Sequence, residues 1–94
     1  IMSPSQVKVT KVTPKKKAMV VKFKKSSGAK KYEVQYSLKK NMKAAKVKTT
    51  KKTAITIKKL KAKKTYNVRI RTYKIVDGNK VYSAWSKTKR VKTK

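Results

Sequence analysis

The sequence predicts an all-β fold, a seven-stranded antiparallel sandwich. Apolar residues rich in Val, Ile and Tyr alternate with Lys, Arg or Thr in seven short runs, spaced roughly 10–15 residues apart. Gly, Ser, Asn and Lys pairs lie between the runs, and no helical period competes with them. Alternation with a period of two places one set of residues on a core face and the other set in water. Short strands of this kind favour two packed antiparallel sheets.

The first four runs cover residues 7–12, 19–23, 32–36 and 45–49. In the second run Met19, Val21 and Phe23 share one face, so this strand is predicted to be half-buried. We expect Pro4 and Pro14 to flank the first strand, where a missing N–H does no harm. The fourth run is weaker and more polar than the others.

The last three runs cover residues 55–60, 66–73 and 81–91. Asp77-Gly78 lies between the last two and is the strongest hairpin signal in the chain, because a tight turn needs positive φ there. A two-residue turn at this point sets Tyr73 opposite Tyr82 and Arg71 opposite Ala84. The sequence therefore predicts a hairpin between the sixth and seventh runs.

The charge is the most extreme property of this chain. Lys and Arg supply 31 of the 94 residues, Glu33 and Asp77 are the two acidic residues, and the formal net charge is +29. A domain of this size buries one small core. The summed positive field is expected to attract polyanions, and it also repels itself.

The composition argues against catalysis and metal binding. The chain has no His and no Cys, so it lacks the residues that form nucleophilic triads and most metal sites. Glu33 lies in a predicted strand and Asp77 in a turn, which does not suit a paired acid and base. We expect no enzyme activity, no cofactor and no metal. The sequence has no 18-residue apolar stretch, and we expect no membrane insertion.

Two positions near the sixth run carry a family resemblance. Leu60, five intervening residues and then Tyr66 resemble the fibronectin type III pattern, in which the leucine ends strand E and the tyrosine begins strand F. The resemblance implies a tyrosine corner, with the Tyr66 hydroxyl bonded to the chain a few residues upstream. Segments 32–37 and 81–86 look like strand C and the start of strand G.

This resemblance covers nearly the whole chain and implies an immunoglobulin-like sandwich. We expect residues 1–94 to form a single fibronectin type III-like domain of a longer chain. The sequence is most similar to Lys-rich modules of Gram-positive bacterial surface and secreted proteins. It departs from the family at Phe23, where a tryptophan is usual, in the absence of Pro-Gly before Tyr66, and in the absence of Arg-Gly-Asp. The family implies a spacer or binding module.

The sixth and seventh strands hold the candidate functional face. We predict an aromatic platform of Tyr73, Tyr82 and Trp85. A regular register would point Trp85 at the core opposite Ile70, whereas a bulge near Ser83-Ala84 would swing it outward over the arginines as a cation–π stack. We favour the outward stack, which either only stiffens the sheet or also forms a platform for a sugar or a base. The predicted polyanion-binding residues are Arg69, Arg71, Lys74, Lys80, Lys87, Lys89 and Arg90.

The sequence predicts a non-catalytic attachment module, secreted or at the cell surface, that contacts anionic polymers. Cell-wall teichoic acid is the first candidate, followed by nucleic acid and acidic glycans. The remaining Lys pairs are expected to coat both ends of the sandwich, which favours weak contact with many polyanions. One alternative is a spacer or assembly protomer that meets an acidic neighbouring domain or subunit. Others are a merely solvated surface and a deliberately recharged domain.

Overall fold

Two antiparallel sheets make up the fold. The computed structural model describes residues 6–94, and Pro4 lies outside these residues. The strands are β1 (Val9–Lys15), β2 (Ala18–Phe23), β3 (Lys31–Ser37), β4 (Lys46–Thr50), β5 (Ala54–Ile57), β6 (Thr65–Val76), β7 (Asn79–Tyr82) and β8 (Lys89–Lys92). One sheet has the order β1-β2-β5, and the other has the order β4-β3-β6-β7, with β8 also paired to β6. The predicted all-β antiparallel sandwich is confirmed, with eight strands in place of seven.

The core lies between the two sheets and follows the predicted alternation. Met19 and Val21 from β2 and Ile57 from β5 meet Val34 from β3 and Ile70 from β6, and all five are fully buried. Phe23 is 4% exposed and packs on Tyr32 with ring centroids 4.7 Å apart. A phenylalanine therefore fills the position where the family usually has a tryptophan.

The first strand differs from the prediction at its proline. Pro14 lies inside β1, opposite Met19, and does not flank the strand. The prediction for Pro14 was wrong because β1 is an edge strand of its sheet, paired to β2 on one side. A proline is tolerated on such an edge, where its missing N–H removes no ladder bond.

The β6–β7 hairpin has the predicted register. Asp77 and Gly78 both adopt positive φ, at 50° and 79°, as a two-residue turn between twisted strands requires. Tyr73 lies opposite Tyr82, and Val76 lies opposite Asn79. The hairpin thus brings Tyr73 of β6 and Tyr82 of β7 onto one face of the sheet.

The predicted closing strand, 81–91, is interrupted, and this accounts for the eighth strand. The β6–β7 ladder ends at Tyr82, so Ala84 does not pair with Arg71 as a regular register would have it, and the chain departs from that register where the favoured bulge near Ser83-Ala84 was expected. Beyond that point the Oγ of Ser83 accepts a hydrogen bond from the Thr72 amide at 3.0 Å, and the Oγ of Ser86 accepts one from the Ile70 amide at 2.8 Å. Serine hydroxyls have replaced backbone carbonyls as acceptors, so the chain leaves the regular pleat before β8 resumes it.

Candidate functional site

A stack of cations and aromatic rings covers the outer face of the β3–β6–β7 sheet. We call it the cation–aromatic stack, and its members in order are Lys80, Tyr73, Tyr82, Arg71, Trp85 and Arg69. The Cζ of Arg71 lies 3.8 Å from the Tyr82 ring centroid and 4.5 Å from that of Trp85. The Cζ of Arg69 lies 4.3 Å from the Trp85 centroid. At the other end the Nζ of Lys80 lies 4.7 Å from the Tyr73 ring, whose centroid is 5.6 Å from that of Tyr82.

The strands and the serine segment position these side chains. Arg69, Arg71 and Tyr73 alternate along β6 with the buried residues Ile70 and Thr72, so they share the outer face. The segment after Tyr82 leaves the regular ladder and carries Trp85 over both arginines. The outward orientation of Trp85, which the sequence favoured, is therefore the one observed.

Polar partners on β3 hold the two arginines from the other side. The Nε of Arg71 donates to the Glu33 carboxylate at 3.0 Å, and the Nε of Arg69 donates to Gln35 Oε1 at 2.5 Å. Both pairs are direct cross-strand neighbours in the β3–β6 register. The Arg71 and Glu33 side chains are 29% and 12% exposed. Each guanidinium is thus engaged within the sheet, an arrangement typical of a structural element.

The other predicted cations do not join the stack. Lys74 follows Tyr73 on β6 and therefore points to the opposite face of the sheet. Arg90 is exposed and lies opposite Asn67. Lys87 and Lys89 are exposed and line a shallow cleft of about 260 Å³ beside β1. The structure therefore distributes the seven predicted polyanion-binding residues over four places: the stack, the opposite sheet face, β8 and the cleft beside β1.

The tyrosine corner has the geometry that the resemblance implied. The Tyr66 hydroxyl accepts a hydrogen bond from the Lys61 amide at 2.9 Å. Leu60 is buried, and its amide donates to the Lys17 carbonyl at 3.0 Å. Thr93 extends the corner, because its hydroxyl donates to the Lys61 carbonyl at 2.5 Å. These contacts fix the loop between β5 and β6.

A second concentration of charge lies near this corner and was not predicted. The loop after β3, strand β4 and the loop after β5 enclose a cleft of about 500 Å³. We call it the lysine cleft. Its lysines are Lys39, Lys43, Lys46, Lys48, Lys58, Lys59 and Lys61, and its other lining residues are Tyr36, Ser37, Leu38, Ala44, Leu60 and Tyr66.

A sequence signal for this cleft existed. Lys46 and Lys48 alternate with Val47 in β4, so they share one face of that strand. Lys58, Lys59 and Lys61 follow β5 directly. Strands β4 and β5 belong to different sheets, so only the packing of the sandwich brings the two groups together.

The described residues offer little else for chemistry. Within residues 6–94, no three His, Cys, Asp or Glu residues lie close enough to hold a metal ion. No helix in the same range is long and apolar enough to cross a membrane. The two carboxylates are separated, since Glu33 bonds Arg71 in the sheet and Asp77 lies in the β6–β7 turn.

Comparisons with known proteins agree with the architecture. The family model described as "Fibronectin type III domain" matches residues 2–89. A solved structure described as "Myokine structure" superposes with a TM-score of 0.77 at 20% sequence identity, over 97% of this chain and 98% of that one. At this identity the likeness shows the fold alone. No curated protein matches the chain.

Proposed function

Because the chain belongs to the fibronectin type III domain family, whose model matches residues 2–89, we propose that it is a non-catalytic attachment module. In this proposal it belongs to a secreted or surface protein of a Gram-positive bacterium and contacts anionic polymers through its basic surface. Teichoic acid of the cell wall is the first candidate, followed by extracellular DNA and acidic glycans. Domains of this family are typically binding or structural modules.

The excess of positive over negative residues is the main observation in support of the proposal. The chain has 31 Lys and Arg residues against two carboxylates. Glu33 forms its ion pair with Arg71 and not with a lysine. A small sandwich with this charge repels itself at every surface point. A polyanion would relieve that repulsion and release its own counterions, which supports contact with a polymer of high charge density.

The arginines and the lysines lie in different places, and this indicates how the domain would contact a polymer. Two of the three arginines, Arg69 and Arg71, lie in the cation–aromatic stack. The lysines present compact, hydrated point charges, which suit phosphate or sulfate, and the scarcity of arginine argues against bidentate recognition of base edges. Lys74, Lys87, Lys89 and Arg90 would contribute to diffuse contact of this kind. We therefore propose recognition of polymer charge and not of nucleotide sequence.

A second candidate function is a spacer or assembly protomer that meets an acidic neighbour. The observation that favours it is strand β4, an edge strand of its sheet. Val47 on this strand is 50% exposed and lies between Lys46 and Lys48. An acidic protein surface with a small apolar patch would complement that edge.

The test is a salt series of binding measurements. The folded domain would be titrated with teichoic acid, heparin and double-stranded DNA between about 50 and 500 mM salt. A Lys-rich unstructured peptide of matched charge serves as the control. The attachment proposal predicts that affinity for all three polymers falls steeply with salt, and that the domain prefers teichoic acid more than the peptide does.

Two outcomes would contradict the attachment proposal. One is identical affinities of domain and peptide for every polymer, lost by moderate salt, which would leave a generic charged surface. The other is failure to bind any polymer together with saturable, salt-resistant binding to one acidic protein. That second result would establish the spacer or assembly function.

A further inference from the structure

The lysine cleft gathers positive charge without compensation. Seven lysines line about 500 Å³, a volume within the range of roughly 300–1,000 Å³ usual for ligand clefts. None of the lining residues is acidic. Asp77 lies eleven positions beyond Tyr66 along the β6 hairpin, roughly 36 Å away at about 3.3 Å per residue. A concave site with one sign of charge focuses the field on an incoming ligand.

The two loops that form the cleft are held by hydrogen bonds. The Ser37 hydroxyl donates to the Lys43 carbonyl at 2.8 Å and accepts from the Lys39 amide at 3.0 Å. Met42, between these lysines, is buried and anchors the loop. On the opposite side the Tyr66 hydroxyl holds the Lys61 amide at 2.9 Å. Because both walls are already ordered, a ligand would lose little affinity to loop ordering.

The lining also contains apolar surface and a free hydroxyl donor. Leu38 is 43% exposed, and Ala44 and Leu60 line the same cleft. The Tyr36 hydroxyl makes no hydrogen bond to any residue in the described range 6–94. Burial raises the pKa of Tyr36 above its ordinary value, and the neighbouring Tyr66 adds to this. The hydroxyl therefore keeps its proton at neutral pH and can donate to an anion.

We propose that the lysine cleft is a binding site for a phosphodiester chain with short carbon units between its phosphates. This proposal rests on the proposed function and gives it a place on the molecule. Lysine ammonium groups bind phosphates as point charges. The exposed side chain of Leu38 would contact the carbon units. The ring of Trp85, by contrast, lies on the outer face of the β3–β6–β7 sheet, where the Cζ atoms of Arg69 and Arg71 are 4.3 and 4.5 Å from its centroid and would compete with a nucleobase for the ring.

The first test compares two triple variants of equal charge. The cleft variant is Lys46→Gln, Lys48→Gln and Lys58→Gln, which removes two strand lysines and one loop lysine. The control variant is Lys11→Gln, Lys22→Gln and Lys24→Gln, three exposed lysines of β1, β2 and the following loop. Calorimetric titration would use poly(glycerol phosphate) of defined length at several salt concentrations.

The cleft variant is expected to lose at least tenfold in affinity at about 150 mM salt, and the control variant less than threefold. The slope of log affinity against log salt should fall by about 2 for the cleft variant, at about 0.7 for each phosphate that is no longer neutralised. Inorganic polyphosphate and a heparin fragment test the role of the carbon units. If the carbon units contact the apolar lining, the wild-type domain should bind poly(glycerol phosphate) more tightly than either probe at matched charge and salt.

A second variant tests the cleft without changing the charge of the domain. Tyr36→Phe removes one hydroxyl and no charge, and it is expected to lower the affinity for poly(glycerol phosphate) about fivefold to tenfold. Tyr32→Phe is the matched control, since the Tyr32 hydroxyl accepts from the Ser26 amide and does not line the cleft. It should leave the affinity unchanged.

Failure of this inference is distinguishable from failure of the proposed function. If the wild-type domain binds the polymers with steep salt dependence, but the cleft and control variants lose affinity equally, binding is diffuse and the cleft is not a site. If the wild-type domain binds none of the polymers at low salt, the proposed attachment function itself is wrong. An unchanged affinity of Tyr36→Phe for poly(glycerol phosphate) would also contradict the proposal that the cleft is the binding site.

Discussion

Arg71 makes more specific contacts than any other cation described in the structure. Its guanidinium lies between the Tyr82 and Trp85 rings, and its Nε donates to Glu33. A lysine at the same position would keep the charge, but it would lose the planar group that stacks on rings and the fixed fork that reaches the carboxylate. The identity of the side chain therefore matters at this position beyond its charge.

This leads to a prediction for two of the arginines. Arg71→Lys should lower the free energy of unfolding by about 1–2 kcal/mol, because two partly buried ring contacts and the bond to Glu33 are weakened. Arg90→Lys, on an exposed residue of β8, should change it by less than about 0.5 kcal/mol. Urea unfolding followed by Trp85 fluorescence measures both values. Equal stability of the two variants would show that the cation–aromatic stack contributes nothing to the fold.

The tyrosines give a second prediction at this scale. Tyr66→Phe removes the acceptor of the Lys61 amide and should lower the free energy of unfolding by about 1 kcal/mol. Tyr36→Phe removes a hydroxyl without a hydrogen bond in the described range and should leave the stability nearly unchanged. Thermal unfolding of the two variants side by side tests this. A larger loss at Tyr36 than at Tyr66 would contradict the structural role of the corner.

Among the elements, the segment between β7 and β8 departs furthest from regular structure. Ser83 and Ser86 each bond β6 twice, once through the amide and once through the hydroxyl. The amide of Ser86 donates to the Ile70 carbonyl at 2.7 Å, and its hydroxyl accepts from the Ile70 amide. Ser86 therefore makes both hydrogen bonds that a regular strand pair would make with Ile70. Because its hydroxyl takes the place of a backbone carbonyl, the main chain can leave the pleat, and Trp85 can lie over the arginines.

The serine bonds can be tested by hydrogen exchange. Ser86→Ala should lower the free energy of unfolding by about 1–3 kcal/mol, because the buried Ile70 amide loses its acceptor. The Ile70 amide should then exchange faster, while amides of β2 keep their protection. Ser27→Ala, at an exposed loop residue, is the control and should change neither quantity. Unchanged protection at Ile70 would mean that the hydroxyl is not the acceptor in solution.

The elements also show what the sequence could and could not predict. Alternation in β2, β3 and β6 predicted which residues enter the core, and Asp77-Gly78 predicted the hairpin and its register. Alternation alone did not predict the break at Ser83, because a hydroxyl that replaces a carbonyl leaves no trace in the hydrophobic pattern, and the expected bulge near Ser83-Ala84 rested on the family resemblance. The lysine cleft was missed for another reason. Lys46 and Lys58 meet only through the packing of two sheets, and this contact is not local in sequence.

At the scale of the whole molecule, charge opposes folding. A chain of net charge +29 is compressed into a body of 43 × 23 × 19 Å, so like charges lie closer than they do in the unfolded chain. Salt screens these interactions, with a Debye length of about 10 Å at 0.1 M and about 3 Å at 1 M. The stability of the domain should therefore depend on salt more than that of a neutral sandwich.

The corresponding prediction is a rise in melting temperature with sodium chloride between about 10 mM and 1 M. The triple variant Lys46→Gln, Lys48→Gln and Lys58→Gln should start from a higher melting temperature at low salt and rise less, because it removes three crowded lysines. Differential scanning calorimetry of both proteins provides the comparison. A melting temperature that is flat or falls with salt would show that self-repulsion does not limit stability.

In our proposal this sandwich uses its lysine cleft to hold a phosphate polymer, while the cation–aromatic stack serves the fold. An NMR titration of the isotope-labelled domain with poly(glycerol phosphate) separates these two roles in one experiment. We expect chemical-shift changes at residues 38–48 and 58–61, with the Trp85 indole signal unmoved. Shifts concentrated at Trp85 and the β6–β7 face, or spread evenly over all lysine-bearing loops, would contradict the proposal.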